Sequence, residues 1–260
     1  MASKKRISPA ERRHQDYLRR KGLKVGKVYE SRLLKLRYKE VSRLLSLCKE
    51  HGSIDQWAGV IDTYCDEQYL WDWYKGLYVD AGLPRAKSTA RDLSRGKATP
   101  DEGYWEDELI RYAGEEAGDK IVLVQGTFKD ELVSIVRTQM QLDSQLPIEK
   151  LARKILHDYQ GIALWQARRI AQTETMISLA GAGDIAARSL DVKFSKQWAV
   201  SGLGNTRDSH LEMDGVMVYD ADEPFVLPSG EMMMYPHDSS LGASAGEIIN
   251  CACDVIRRPI

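Results

Sequence analysis

Clear strand-like alternation in this chain falls after residue 193, and clear helical periodicity falls before it. Phe194–Val200 alternates, Val216–Tyr219 and Glu231–Tyr235 have strand character, and Cys251–Arg257 can close a sheet. A parallel βαβ sheet needs strands and helices to take turns along the chain. Helices first and strands last predict instead an α+β fold, a helical N-terminal section followed by a C-terminal unit of helix plus small antiparallel sheet.

The helical section divides at recognisable punctuation. Residues 28–50 place Tyr38, Val41, Leu45 and Cys48 on one stripe, and Gly52 ends the helix. Ser53 with Gln56 reads as a capping box that opens a second helix running to about residue 80, rich in Trp57, Trp71 and Trp73. Gly82-Leu83-Pro84 breaks it, and 84–98 reads as a basic linker or exposed loop. Thr99 caps the next helix, with Pro100 at its first position and Glu102 closing the box. That helix ends near Ala117, Ile121–Val124 is ambiguous, and further helices are expected over 127–142, 147–159 and 161–190. The short connection after residue 50 predicts an antiparallel helix pair. Its tryptophans, with Trp105, either fill the core against the 101–142 helices or form a docking surface.

Charge is distributed unevenly. The chain carries one net negative charge, yet residues 1–27 hold ten Lys and Arg against Glu11 and Asp16. A basic arm on an acidic body suits a phosphate backbone, and Lys4, Lys5, Arg6, Arg12, Arg13, Arg19, Arg20 and Lys21 are the candidate contacts with double-stranded DNA. The bland alternative is a solvated tail. No apolar run is long enough to span a bilayer, so no membrane partner is expected. Four cysteines at irregular positions do not make a disulfide framework. The expected segments are a basic arm over 1–27, a helical section over 28–145 and a C-terminal domain over 146–260.

The chemistry-bearing residues concentrate near the end. Arg207-Asp208-Ser209-His210 precedes Asp214-Gly215, and Asn250-Cys251-Ala252-Cys253 follows about forty residues later. Glu174 falls on the apolar face of its helix, beside Ile170 and Ile177. A carboxylate there needs a partner. A polar cluster of Glu174, Arg207, His210 and Asp214 at the helix–sheet junction meets that need. It reads first as a structural anchor. His210, Cys251 and Cys253 are three zinc-type ligands, with His237 or Asp238 as a fourth, but the pair lacks the usual Cys-x2-Cys knuckle. Plain buried thiols are the favoured reading, so no cofactor is expected and zinc stays the alternative. No P-loop, dinucleotide fingerprint, nucleophile elbow or His-Glu-x-x-His occurs.

The stretch from Pro147 to Cys253 resembles the phage head-morphogenesis family typified by the F protein of phage Mu and the minor head protein of phage SPP1. The resemblance is carried by Arg168-Arg169-Ile170-Ala171-Gln172-Thr173-Glu174-Thr175, Lys196-Gln197-Trp198, Arg207-Asp208-Ser209-His210, Asp214-Gly215, Pro236-His237-Asp238 and Glu247–Cys253. This chain has Ala252 where many relatives have a basic residue, and Ile248-Ile249 where some carry a histidine. The resemblance implies a non-enzymatic minor component of a tailed-phage or prophage head. It would sit in the head interior or at the portal vertex, with the portal protein and other head proteins as partners, after assembly in the host cytoplasm. The competing reading is a metal-dependent or acid/base hydrolase, nuclease-like, using Glu174, His210 and Asp214.

Overall fold

The computed structural model of the chain describes residues 3–51, 53, 56–96, 98–142, 147–201 and 206–260. In chain order the elements are β1 (Ser3–Lys4), α1 (Pro9–Glu50), α2 (Trp57–Tyr64), α3 (Gln68–Ser94), α4 (Glu102–Leu142), α5 (Ile148–Arg188), β2 (Phe194–Ala199), α6 (Asp208–Met213), β3 (Val216–Val218), β4 (Phe225–Val226), β5 (Met232–Met233), α7 (Ala245–Ile248) and β6 (Asp254–Pro259). The fold is α+β, long helices followed by a small antiparallel sheet, with β1 as the one strand ahead of the helices.

Most helices are longer than their punctuation suggests, but the helix expected from Ser53 to about residue 80 is interrupted at 65–67, giving α2 and α3. Helix α1 starts at Pro9 because Ser8 and Glu11 form a complete capping box. The Ser8 Oγ accepts from Glu11 N at 3.3 Å, and Glu11 Oε2 accepts from Ser8 N at 2.9 Å. The expected arm is therefore structured from its third residue. Helix α3 runs through Pro84, which removes one helix hydrogen-bond donor. Beyond it Arg85, Ala86, Ala90 and Leu93 are all buried, so 84–98 is no linker, and tertiary burial outweighs the local penalty. Helix α4 is capped by Asp101, whose Oδ1 accepts from Tyr104 N at 2.9 Å, in place of Thr99. It continues unbroken through Ile121–Val124, and α5 likewise joins the two helices expected on either side of residue 160. Gly52 lies outside the described residues.

The chain forms two compact units. One comprises 1–27, 75–113 and 171–260, and the other 28–74 and 114–170. The boundary at residues 27 and 28 coincides with one expected from charge, but residues 3–27 belong to the same unit as the sheet. The expected boundary at 145 lies outside the described residues.

The second unit is all helical. Val41, Leu44, Leu45, Cys48, Trp57 and Ile61 pack with Phe128, Leu132, Ile155 and Tyr159 in one core. The buried Arg37 guanidinium lies 4.3 Å from the Phe128 ring centroid and donates to Tyr69 Oη and Gln125 Oε1. Trp57 and Trp73 are buried, as is Trp105 in the first unit. Core filling, not a docking surface, is what these three tryptophans supply.

The first unit holds the sheet, in the order β1-β3-β2-β6 with every pairing antiparallel. Strand β2 is central, and all six of its residues are buried. Its polar residues are consequently bonded within the unit. Gln197 Nε2 donates to Gly215 O at 3.0 Å, and Lys196 Nζ donates to Glu223 O at 2.8 Å and Met234 O at 3.0 Å. Two buried ion pairs hold helices to β6. Arg85 of α3 meets Asp254 at 2.9 Å, and Arg257 meets Asp184 of α5 at 3.1 Å. Helix α5 approaches α4 closely at Gly181, where a Cβ would collide with the Tyr112 ring. Strands β4 and β5 form a separate hairpin whose turn ends on Gly230 at φ +86°.

Candidate functional site

Two short helices and one turn bring the sequence motifs together in the first unit. Arg207 precedes α6, and its extended backbone (φ −65°, ψ 149°) lets its carbonyl accept from His210 N at 3.1 Å. His210 thereby points inward and is buried to 1% exposure. Helix α7 supplies Glu247. Asn250, at φ +58°, then turns the chain so that Cys251 and Cys253 arrive just ahead of β6.

The convergence is close. His210 Nδ1 lies 3.3 Å from Cys251 Sγ and 3.5 Å from Cys253 Sγ. Its Nε2 is 2.9 Å from Glu247 Oε2, within ion-pair range although off the line of a well-aligned hydrogen bond. The imidazole meets the Trp198 ring edge-on, with centroids 5.3 Å apart. Cys253 N donates to Cys251 Sγ at 3.3 Å. The thiols are not equivalent. Hydrogen bonding from Cys253, with both histidines beside it, holds Cys251 well below the ordinary thiol range despite burial. Cys253 is driven the other way by that same bond and by burial.

His237 completes the neighbourhood. It is buried, adopts φ +75°, and its Nε2 lies 3.1 Å from Cys253 O. Burial pushes its pKa down, but the charge of Cys251 and the bonds to Cys251 and Cys253 leave it raised. Asp238, the other residue considered as a fourth ligand, is committed to the turn. Its Oδ2 accepts from Met234 N at 2.8 Å and Ser240 Oγ at 2.9 Å, and its Oδ1 from Ser240 N at 3.1 Å.

Several of the remaining motif residues bond inside the fold. Glu174 accepts from Tyr78 Oη at 2.7 Å. Its neighbour Thr173 accepts from Asn250 N at 3.4 Å, which ties α5 to the approach of the cysteine pair. Arg207 donates to Ile249 O, and Ser209 Oγ to Glu247 Oε2 at 3.2 Å. Asp214 pairs with Arg12 and accepts from Val200 N at 3.0 Å. Gly215 sits at φ +83°, where a Cβ would press on Lys5 O. Glu247 opens the Glu247–Cys253 stretch of the resemblance, but the sequence assigns it no role of its own. It lies four residues before Cys251, on a helix too short to read from periodicity.

Of the eight basic residues proposed for DNA, Lys4, Lys5, Arg6, Arg13, Arg20 and Lys21 are exposed. Arg12 is held by Asp214, and Arg19 is buried against Asp16 at 2.6 Å.

Cys251, His210 and Glu247 stand in the order of a nucleophile, base and orienting carboxylate. All three are buried, so no substrate reaches the sulfur in this arrangement. The group can hold a soft metal ion or pin the surrounding loops.

Over 92 residues the chain is 38% identical to YqbB, an uncharacterized protein of Bacillus subtilis (strain 168). The matched stretch covers 34% of this chain and 29% of that protein, so the chain spans less than a third of the relative's length. No family model matches the chain, and no solved structure matches it.

Proposed function

We propose that this chain is a minor structural or assembly protein of a tailed-phage or prophage head. It would associate with the portal or the capsid interior and touch packaged DNA through non-specific contacts. One observation carries the reading. Several of the residues that give the chain its resemblance to head-morphogenesis proteins are bonded inside the fold. Arg207 bonds Ile249, Ser209 bonds Glu247, His210 meets both cysteines, and Asp214 caps Val200. Motif residues committed in this way maintain a shape, and a maintained shape is what an assembly protein contributes. An acid/base hydrolase needs its carboxylates and imidazole at a surface that substrate can enter. Glu174 and His210 are buried, and Asp214 is held by Arg12.

The test is protein mass spectrometry of particles purified after induction of the phage or prophage that encodes the chain. The expected result is the chain in filled heads at a small fraction of the major capsid protein's abundance. Heads that assemble and package normally without it, the chain remaining in the lysate, would overturn the proposal. A companion experiment co-expresses the full chain with the portal protein of the same genome, and co-purification through a tag on the portal is expected.

A further inference from the structure

Hydrogen bonding does not account for the contacts at His210. One ring nitrogen carries either a proton or a lone pair, so it makes one good bond in the ring plane. Here Nδ1 has two sulfurs at 3.3 and 3.5 Å, and the three atoms lie within 4.8 Å of one another. Zinc–sulfur and zinc–nitrogen bonds of about 2.3 and 2.0–2.1 Å at tetrahedral angles put neighbouring N and S about 3.6 Å apart. Both contacts are therefore close to the edge length of a tetrahedral zinc site.

The surroundings prepare both histidines in the same sense. The Glu247 carboxylate beside His210 Nε2 favours the proton there, which leaves Nδ1 with its lone pair toward the sulfurs. The Cys253 carbonyl does the same at His237 Nε2. His237 Nδ1 is then a buried nitrogen that makes no well-aligned hydrogen bond among the described residues, on a ring close enough to Cys251 to interact with its sulfur. Its backbone is held at φ +75°, an uncommon conformation for a residue with a side chain, by the turn that Asp238 ties together. Two thiolates and two imidazoles favour zinc over the hard cations magnesium and calcium. Burial of all four side chains leaves no open coordination position, the mark of a structural site.

We infer that this chain binds one structural zinc ion through His210, Cys251 and Cys253, with His237 closing onto it as the fourth ligand. The ion pins α6, the turn at His237 and the segment entering β6, among short elements. The inference does not depend on the head-protein reading.

The full chain, expressed with zinc in the medium and purified without chelator, tests it by elemental analysis and cobalt(II) substitution. The expected result is one zinc per chain. Cobalt should give the d–d bands of a tetrahedral ion together with thiolate charge-transfer absorption. Cys251→Ser should lose the metal. His237→Gly suits the local φ and should fold, with zinc affinity lowered by at least about tenfold. A folded wild-type chain with less than about 0.1 zinc after zinc is offered overturns the site. Unchanged zinc affinity and cobalt spectrum in His237→Gly overturn His237 as the fourth ligand. Should that variant not fold, chelator treatment of the wild type decides. A melting transition lowered by chelator and restored by zinc is expected, and an unmoved one overturns the site.

Discussion

Single residues in this protein are most informative where charge is buried. Lys196 is fully enclosed, with its ammonium on two backbone carbonyls and 5.6 Å from the Phe225 ring centroid. Burial pushes its pKa from 10.5 to about 8, against the attraction of Asp184 and Asp222 and with the repulsion of Arg257 and Arg188. The unfolded chain then binds the proton more tightly, so between pH 8 and 10.5 it carries more protons than the folded chain. Stability from this group rises with pH across that window, and the burial cost is fully present below pH 8. In urea unfolding at a series of pH values, the stability of wild type minus that of Lys196→Met should climb by up to about 3 kcal/mol from pH 7.5 to 10.5. A difference independent of pH would show that the lysine titrates normally. Glu174 belongs to the same class. Its expected place on the apolar face of its helix agrees with its burial, and its bond to Tyr78 joins α5 to α3. Glu174→Ala leaves the Tyr78 hydroxyl without this acceptor and should lower stability by about 1–3 kcal/mol, read as a lower melting temperature.

At the scale of elements, contact distance decides what sequence signals mean. Gly82-Leu83-Pro84 has the composition of a break, yet α3 continues because both sides of it are packed. A Cβ on Gly82 would come 2.8 Å from Leu109 and 3.0 Å from Ser178. Gly181 makes the same close approach to Tyr112. Gly181→Ala raises local helix propensity but drives a methyl into the ring. The clash should prevail, with a net loss of about 1–3 kcal/mol in chemical denaturation. A stabilised variant would mean that the helices separate at little cost. The N-terminal strand is the counterpart on the sheet side. Ser3 and Lys4 pair with Met217 and Val216, and Ile7 packs with Ala199 and Ile256. Removing residues 1–7 should therefore lower the melting temperature, where a free arm would leave it unchanged.

At the scale of the molecule, charge remains a partner signal even though the arm is folded. Arg13, Arg20 and Lys24 recur along one exposed line of α1, with Tyr17 between them. Truncation would confound binding with folding, so substitution is the cleaner probe. Replacing Arg13, Arg20 and Lys24 by Gln should make the log–log salt dependence of duplex-DNA binding shallower by up to about 3, at about 0.9 per phosphate contact. An unchanged slope would place any DNA contact elsewhere. The class of the fold, the antiparallel strands after residue 193 and the burial of Glu174 were legible along the chain. Those follow from local periodicity and the cost of an unpaired carboxylate, both of which are written in nearby residues. The α1 capping box at Ser8 and Glu11 was equally local and equally legible, but the run of positive charge obscured it. That Pro84 lies within a helix, that β1 joins β3, and that Glu247 and His237 stand beside His210 and the two cysteines came from folding alone. Such contacts join residues far apart along the chain, and they are fixed by packing and charge pairing that no local window contains.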